Sequence, residues 1–243
     1  MQIQAVDLVL IPGLLCDERL WAGQTHALSE TASILIPNLT VYESIDEMAD
    51  AVLSRAPKQF ALAGFSMGGC VALEIVARAP QRVRQLALLS TNAAGILPRV
   101  RDHYQRSIAD IEAEGIEKYL VEAFPRYVSA ERAHDPVLWR EYSTMGLDLG
   151  AAVAVRQMRA LLDYPGFNGN LGAILCPTAL ICGEHDERTP VGSHESMAHQ
   201  MPGAELAVIR NAAHFIPLER PSAVADALRL WLSRIPAAGP LAI

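Results

Sequence analysis

A serine set between two glycines is the residue in this sequence best placed to act as a nucleophile. Residues 64–68 read Gly-Phe-Ser-Met-Gly, so Ser66 lies in the pattern Gly-x-Ser-x-Gly. The pattern follows a short apolar run at 60–63 and precedes an apolar helical pattern that begins near Met67. A serine at such a strand–turn–helix junction sits in a strained turn that exposes its hydroxyl. The sequence therefore predicts Ser66 as a nucleophile.

A serine hydroxyl attacks only after a base has taken its proton, and histidine is the usual base. The chain has seven histidines, of which His214 follows the last predicted strand, 205–209. A loop at that place can reach back over the serine, so His214 is the candidate base. His194 and His199 lie in a segment that is typical of a surface helix, and we expect both to be solvated.

The base also needs a carboxylate that holds its ring in one tautomer and balances its transient charge. Residues 183–187 read Gly-Glu-His-Asp-Glu and follow the fifth predicted strand. We expect Asp186 to be the orienting acid, and Glu184 and Glu187 to be solvated. A hydrophilic turn with no special role is the alternative interpretation of this segment.

The negative oxygen that forms when serine attacks a carbonyl needs two backbone N–H donors. We expect one from Met67, directly after the nucleophile, and one from the loop that follows the first strand. In that loop Leu14 is the preferred donor and Leu15 the second choice. Apolar side chains near the predicted site indicate a substrate pocket with hydrocarbon character, although they could equally belong to the core: Leu15, Trp21, Phe65 and Phe215.

Short apolar runs that alternate with helical patterns must position these residues. The predicted strands are 6–11, 33–36, 60–63, 86–89, 178–181 and 205–209, and the clearest helices are 45–55, 67–78 and 222–232. Such alternation requires crossover connections and predicts an α/β fold with a mostly parallel sheet of about six strands, flanked by helices. Half of the chain is hydrophobic, 51%, which suits a sheet that is buried on both faces.

One interval breaks this alternation. Between about 96 and 165 the chain has helical patterns at 102–115, 115–124 and 150–162 and no convincing strand. We expect a helical cap insertion at 96–165, and a core formed by 1–95 and 166–243. Ordinary crossover helices are the alternative, but there are too many of them for one crossover.

Composition excludes several other functions. The 243 residues include 20 Lys and Arg against 27 Asp and Glu, and no basic stripe that could bind nucleic acid. The four cysteines have neither zinc-site spacing nor the density of a disulfide scaffold. With no leader-like or membrane-spanning stretch, we expect a cytoplasmic protein. Arg99, Arg101 and Arg106 could meet an acidic substrate or carrier, but a solvated helix face is the preferred interpretation.

The chain resembles the α/β-hydrolase family over nearly all of its length. The motifs that carry the resemblance are residues 11–15, 64–69, 183–186 and 213–219. The resemblance implies nucleophile Ser66, acid Asp186, base His214, oxyanion donors Leu14 and Met67, and a cap. The chain departs from the family pattern in two places. It has Pro12-Gly13 where many members have His-Gly, and it has no room before Val6 for the two further strands that are usual in the family. We therefore expect six strands rather than eight.

The expected reaction is hydrolysis of a carboxylic ester through an acyl-enzyme, with no metal or organic cofactor. The expected partner is a small-molecule ester, free or bound to a carrier, because small carboxylesterases and methyl-ester hydrolases of acyl-carrier substrates have similar lengths. A carbon–carbon bond hydrolase, a lactonase, a perhydrolase or a lyase could use the same residues. A non-catalytic receptor that binds a small molecule in the same pocket is the alternative outside the enzymes. The oligomeric state is left open.

Overall fold

The computed structural model describes the backbone of residues 5–96 and 98–234, and the side chains of the same residues except 98 and 99. The segments 1–4 and 235–243 of the predicted core lie outside the described residues, as do residue 97 of the predicted insertion and the side chain of Arg99.

Six parallel strands form one sheet in the order β2-β1-β3-β4-β5-β6. The strands are β1 (Val6–Ile11), β2 (Ala32–Leu35), β3 (Phe60–Phe65), β4 (Val83–Leu89), β5 (Thr178–Gly183) and β6 (Ala204–Ile209). All side chains of the interior strands β3 and β5 are buried, as a parallel sheet covered on both faces requires. The predicted fold class is confirmed, including the number of strands.

Nine α-helices occur in the described part of the chain. They are α1 (Ala22–Leu28), α2 (Ile45–Arg55), α3 (Met67–Arg78), α4 (Pro98–Glu114), α5 (Ile116–Ala123), α6 (Pro136–Asp163), α7 (Val191–Gln200), α8 (Ile216–Glu219) and α9 (Pro221–Leu232). α2 packs against α3, and α1 packs against α9. Right-handed crossovers place these two pairs on opposite faces of the sheet. None of the described helices is both long and apolar enough to cross a membrane.

The helices between β4 and β5 differ in extent from the sequence prediction. The prediction places the third of them at 150–162, whereas α6 begins at Pro136 and is interrupted at Gly150, where φ is 79°. Asp135 caps the first half by accepting the N–H groups of Val137 and Leu138. An aspartate followed by a proline is a helix-start signal, so the sequence contained the information for this first half.

These three helices pack on one another, and the connection between α5 and α6 contacts the loop that follows β6. The N–H of Phe215, after β6, donates to the carbonyl of Tyr127 at 2.9 Å. The N–H of Ser129 donates to the Glu219 carboxylate at 2.8 Å. Because all six strands are parallel, the loops that follow them meet at this edge, next to the reversal of strand order between β1 and β3.

Candidate active site

Ser66 occupies the turn between β3 and α3 in a conformation that few residues adopt. Its φ is 53° and its ψ is −115°, which is sterically unfavourable for a residue with a side chain. A methyl group on Gly64 would overlap the carbonyl of Gly68, so only glycine allows the strand and the helix to approach this closely. The carbonyl of Ser66 accepts the N–H of Gly69 at 2.9 Å and the Thr91 hydroxyl at 2.8 Å. These bonds stabilise the strained turn.

His214 joins this serine to an acid. Its Nε2 lies 2.9 Å from Ser66 Oγ, and its Nδ1 lies 2.9 Å from Asp186 Oδ2. A carboxylate can only accept, so Nδ1 carries the proton and Nε2 is free to accept the serine hydroxyl. The ring is buried, and Asp186 is buried beneath it. The structure therefore brings together the three side chains singled out in the sequence, over a separation of 148 residues.

Asp186 keeps its charge although it is buried. Burial raises the pKa of a carboxyl group, but the pKa of Asp186 falls below its usual range because of the facing His214 ring and bonds from Thr189. Its Oδ1 accepts the backbone N–H groups of Arg188 and Thr189, both at 2.9 Å, and its Oδ2 accepts the Thr189 hydroxyl at 2.7 Å. The carboxylate is thus held in one orientation and remains ionised at neutral pH.

The two expected oxyanion donors flank the serine. Within residues 5–96 and 98–234, the N–H groups of Leu14 and Met67 donate to no protein acceptor. Leu15, the second choice, is occupied: its N–H donates to Gln157 Oε1 at 2.7 Å, and its φ is 54°. Gln157 is buried in α6, so a side chain of the helical segment holds the loop that follows β1.

A narrow cavity of about 10 Å³ lies beside the serine on one side. Three of the four predicted pocket residues line it, namely Leu15, Phe65 and Phe215. Trp21 does not line it; its ring is fully buried and packs edge-on against Phe65, with 6.5 Å between ring centroids. The prediction that Trp21 contacts substrate is therefore corrected to a supporting position behind the pocket.

A second cavity of about 60 Å³ also borders the serine. Its floor includes Ser66, Met67, Thr91 and His214. The helical segment contributes Val100, Tyr104 and Leu161, and Tyr164 follows α6. Arg188 and Thr189, next to the orienting acid, complete one wall.

His194 is not solvated, contrary to the sequence expectation. It is fully buried, its Nε2 accepts the Thr91 N–H at 3.3 Å, and its Nδ1 donates to the Pro190 carbonyl at 3.3 Å. Burial lowers its pKa, which favours the neutral ring that these two bonds require. His199 is exposed, as expected. Because α7 is mostly polar, its sequence did not indicate that one face of the helix packs on the sheet.

Glu219 has a structural role that was not predicted from the sequence. This buried carboxylate accepts the N–H of Ala213 and the N–H of Ser129, both at 2.8 Å. It therefore ties the loop of His214 to the helical segment. The position of Glu219 at the end of the 213–219 motif could have indicated this role.

In the described part of the chain, no group of three His, Cys, Asp or Glu side chains is arranged to hold a metal ion. The four cysteines are free thiols. Cys70 lines the same cavity as Ser66, and burial raises its pKa to about 11, so that it is protonated at neutral pH. The described groups suited to nucleophilic chemistry at this edge are thus Ser66 and its base.

The fold and these motifs define a hydrolase-type scaffold, and the chain belongs to the alpha/beta hydrolase family, whose sequence profile matches residues 8–227. Among its relatives, a pimeloyl-[acyl-carrier protein] methyl ester esterase of Nitrosomonas europaea is 24% identical over 224 residues, covering 86% of this chain and 88% of that protein.

Two solved structures have the same fold. A thermophilic esterase from Thermogutta terrifontis superposes with a TM-score of 0.85 at 24% identity, covering 95% of this chain and 90% of that one. The enol-lactonase from Burkholderia xenovorans LB400 superposes with a TM-score of 0.84 at 22% identity, covering 95% and 92%. At these identities the two similarities show the fold alone.

Proposed function

We propose that this protein hydrolyses carboxylic esters of small molecules through an acyl-enzyme on Ser66. The observation that carries the proposal is the continuous pair of hydrogen bonds, each 2.9 Å, from Ser66 Oγ to His214 and from His214 to Asp186. The esterase name of the Nitrosomonas europaea relative supports the same reaction class.

In the first half-reaction, Ser66 Oγ attacks the ester carbonyl carbon while His214 Nε2 takes the hydroxyl proton. The carbonyl π electrons move to oxygen, and the N–H groups of Leu14 and Met67 stabilise the resulting oxyanion. When the tetrahedral intermediate collapses, the C–O bond to the alcohol breaks and His214 returns the proton to the leaving oxygen. The product is an acyl ester of Ser66 and a free alcohol.

In the second half-reaction, a water molecule replaces the alcohol. His214 takes a proton from the water as its oxygen attacks the acyl carbon, and the same two N–H groups hold the second oxyanion. The bond to Ser66 Oγ then breaks, and His214 gives the proton back to the serine. Asp186 remains ionised throughout and stabilises the transient imidazolium.

We also propose that residues 96–165 form a cap over this site, separate from the core of 1–95 and 166–243. Three features of the described residues support this: α4, α5 and α6 pack on one another, α4 and α6 contribute side chains to the larger cavity, and Gln157 bonds the loop after β1. Hydrogen exchange tests the division. The amides of α4–α6 should open together at lower free energy than those of β3 and β4, and equal protection would oppose a separate cap.

We propose a cytoplasmic location, which the free thiols of all four cysteines support because oxidising compartments favour disulfides. Cell fractionation with antibody detection tests it. A carrier-bound ester is the second form of substrate to be tested, since the relative named above carries that substrate in its name.

The decisive experiment compares the wild type with Ser66→Ala on 4-nitrophenyl and methyl esters, free and carrier-bound. Turnover should fall by at least about 10⁴-fold with unchanged circular dichroism, and a fluorophosphonate should add to Ser66 in the wild type alone. Undiminished turnover in Ser66→Ala would remove Ser66 from the mechanism. Products formed without incorporation of labelled water would indicate a lyase, and a wild type that the fluorophosphonate fails to label would indicate a receptor.

A further inference from the structure

Arg188 is a cation in the wall of the larger cavity, which also contains Ser66 and His214. Its guanidinium carbon lies 4.6 Å from the centroid of the Tyr127 ring and 5.6 Å from that of the Tyr104 ring. It donates one hydrogen bond to the Tyr104 hydroxyl at 3.2 Å. The two rings hold the planar guanidinium in place through cation–π contacts.

This guanidinium has no acidic partner in the described part of the chain. No oxygen of Asp or Glu there lies within 4.0 Å of it, and its one side-chain bond goes to a phenol. The carboxylate of Asp186, two residues before Arg188, is occupied by His214 and Thr189. Burial raises the pKa of the Tyr104 phenol to about 12, so this partner is neutral at physiological pH. Within the described residues, most of the five N–H donors of Arg188 thus have no acceptor.

The neutral form of His103 is favoured near Arg188. His103, on α4 beside Tyr104, has a pKa lowered to about 4, first by burial and then by the positive charges of Arg188, Arg126 and Arg106. A partly buried cation without a counter-ion is costly in free energy, and a bound anion reduces that cost.

We propose that Arg188 binds an ionised carboxylate on the acyl part of the substrate, so that the preferred substrates are half-esters of dicarboxylic acids. The inference rests on the proposed ester hydrolysis and specifies its substrate class. The ester carbonyl lies at Ser66, and the far carboxylate lies against the two-pronged guanidinium, whose geometry matches it. Arg188 is a specificity-determining residue in this scheme.

The size of the cavity sets the length of the acyl chain. The cavity beside Ser66 and Arg188 is small, about 60 Å³. A small cavity favours a short acyl chain between the ester carbonyl and the far carboxylate. Half-esters of short diacids such as succinate and glutarate are therefore the expected substrates.

The test compares two esters that differ in one charge. Monomethyl glutarate carries a free carboxylate, whereas dimethyl glutarate has the same chain without the charge. For the wild type, kcat/KM for the monoester should exceed that for the diester by about 10- to 100-fold, the range for a charge-assisted hydrogen bond in a partly dry site. In Arg188→Gln this ratio should fall by the same factor, and Arg188→Lys should retain part of it because a lysine keeps the charge without the fork.

Arg159→Gln is the matched control, because it removes the same charge from an exposed arginine of α6 that pairs with Glu112 outside the cavity. It should keep the wild-type ratio. If it lowers the ratio as much as Arg188→Gln does, long-range attraction explains the preference and the proposed contact is wrong. Equal kcat/KM for the two esters in the wild type would overturn the proposal as well.

A binding measurement separates this inference from the proposed function. Glutarate, added to Ser66→Ala in a calorimeter, should bind, and the Ser66→Ala, Arg188→Gln double variant should bind it at least about 10-fold more weakly. Inorganic phosphate in place of glutarate distinguishes a general anion site from a carboxylate site. If neutral esters are hydrolysed but glutarate does not bind, only the role of Arg188 fails. If glutarate binds but no ester is hydrolysed, only the proposed function fails.

Discussion

Asp186→Asn tests the orientation of the base with almost no change of shape. In the structure Asp186 Oδ1 accepts two backbone N–H groups, and an asparagine oxygen keeps both bonds. The amide nitrogen then replaces Oδ2, which now accepts the His214 Nδ1–H at 2.9 Å. Since an amide nitrogen can only donate, Nδ1 of His214 must give up its proton and Nε2 must carry it. That nitrogen can no longer accept the proton of Ser66.

The magnitude follows from the distance between the two charged groups. Imidazolium and carboxylate charges about 3–4 Å apart interact by about 4–6 kcal/mol at an effective dielectric constant near 20. Because imidazolium forms only during the reaction, this stabilisation is lost from the transition state and not from the resting enzyme. Each 1.4 kcal/mol is a factor of ten in rate, so kcat should fall by roughly 10³- to 10⁴-fold, with little change in KM.

The assay is steady-state hydrolysis of 4-nitrophenyl acetate. Ser66→Ala gives the background rate of hydrolysis, and thermal unfolding shows whether each variant is folded. Glu184→Gln is the matched control, because Glu184 is an exposed acid two residues away that accepts the N–H of Asn211. It removes the same charge and should leave kcat within about threefold.

Two results would refute the reasoning. A folded Asp186→Asn variant that loses less than tenfold in kcat would show that another group orients His214. A loss of similar size in Glu184→Gln would show that net charge near the site, rather than the geometry at Nδ1, controls the rate.

Three further predictions concern the elbow, the oxyanion loop and pH. Gly64→Ala should lower the free energy of unfolding by at least about 3 kcal/mol in urea denaturation, because its methyl group overlaps the Gly68 carbonyl. Gln157→Met should lower kcat about tenfold with KM nearly unchanged, because Leu15 N–H loses its acceptor and the loop loosens. The low pKa of His103, about 4 against 6.5, means that the unfolded chain binds a proton first as pH falls. Stability is therefore full above pH 6.5 and declines toward pH 4, and His103→Gln should reduce the decline between pH 7 and 5 by about 1 kcal/mol in urea denaturation.

Each of these three has a contrasting measurement. Gly192→Ala, at a helical site with nothing within 4 Å of the added methyl, should cost no stability, and a Gly64→Ala variant that is equally tolerated contradicts the tight elbow. Gln157→Glu retains an acceptor oxygen and should keep most of kcat; a loss equal to that of Gln157→Met points instead to general damage to α6. Identical pH profiles for wild type and His103→Gln would show that His103 is not buried in the neutral form.

Much of this protein was predictable from local patterns. Ser66 could be identified because a nucleophile at a strand–helix junction needs flanking glycines. The five consecutive residues 64–68 contain the serine and both glycines. Asp186 and His214 could be inferred because parallel strands put the loops after them at one edge. Alternating apolar runs were enough for the six strands, since burial on both faces leaves continuous hydrophobic segments.

Other features depend on partners that are distant in sequence. Nothing near Gln157 indicates that it holds Leu15, 142 residues away, and nothing near Arg188 indicates that it stands between two tyrosines of the helical segment. His194 has polar neighbours along the chain, yet one helical face carries it into the core. The physical reason is the range of the interactions: strand periodicity and turn sterics act over a few residues, whereas burial, charge pairing and cavity shape arise only when remote segments pack together. Sequence alone therefore determined the class of fold and the reacting side chains, and tertiary packing decided what the cavity beside them can hold.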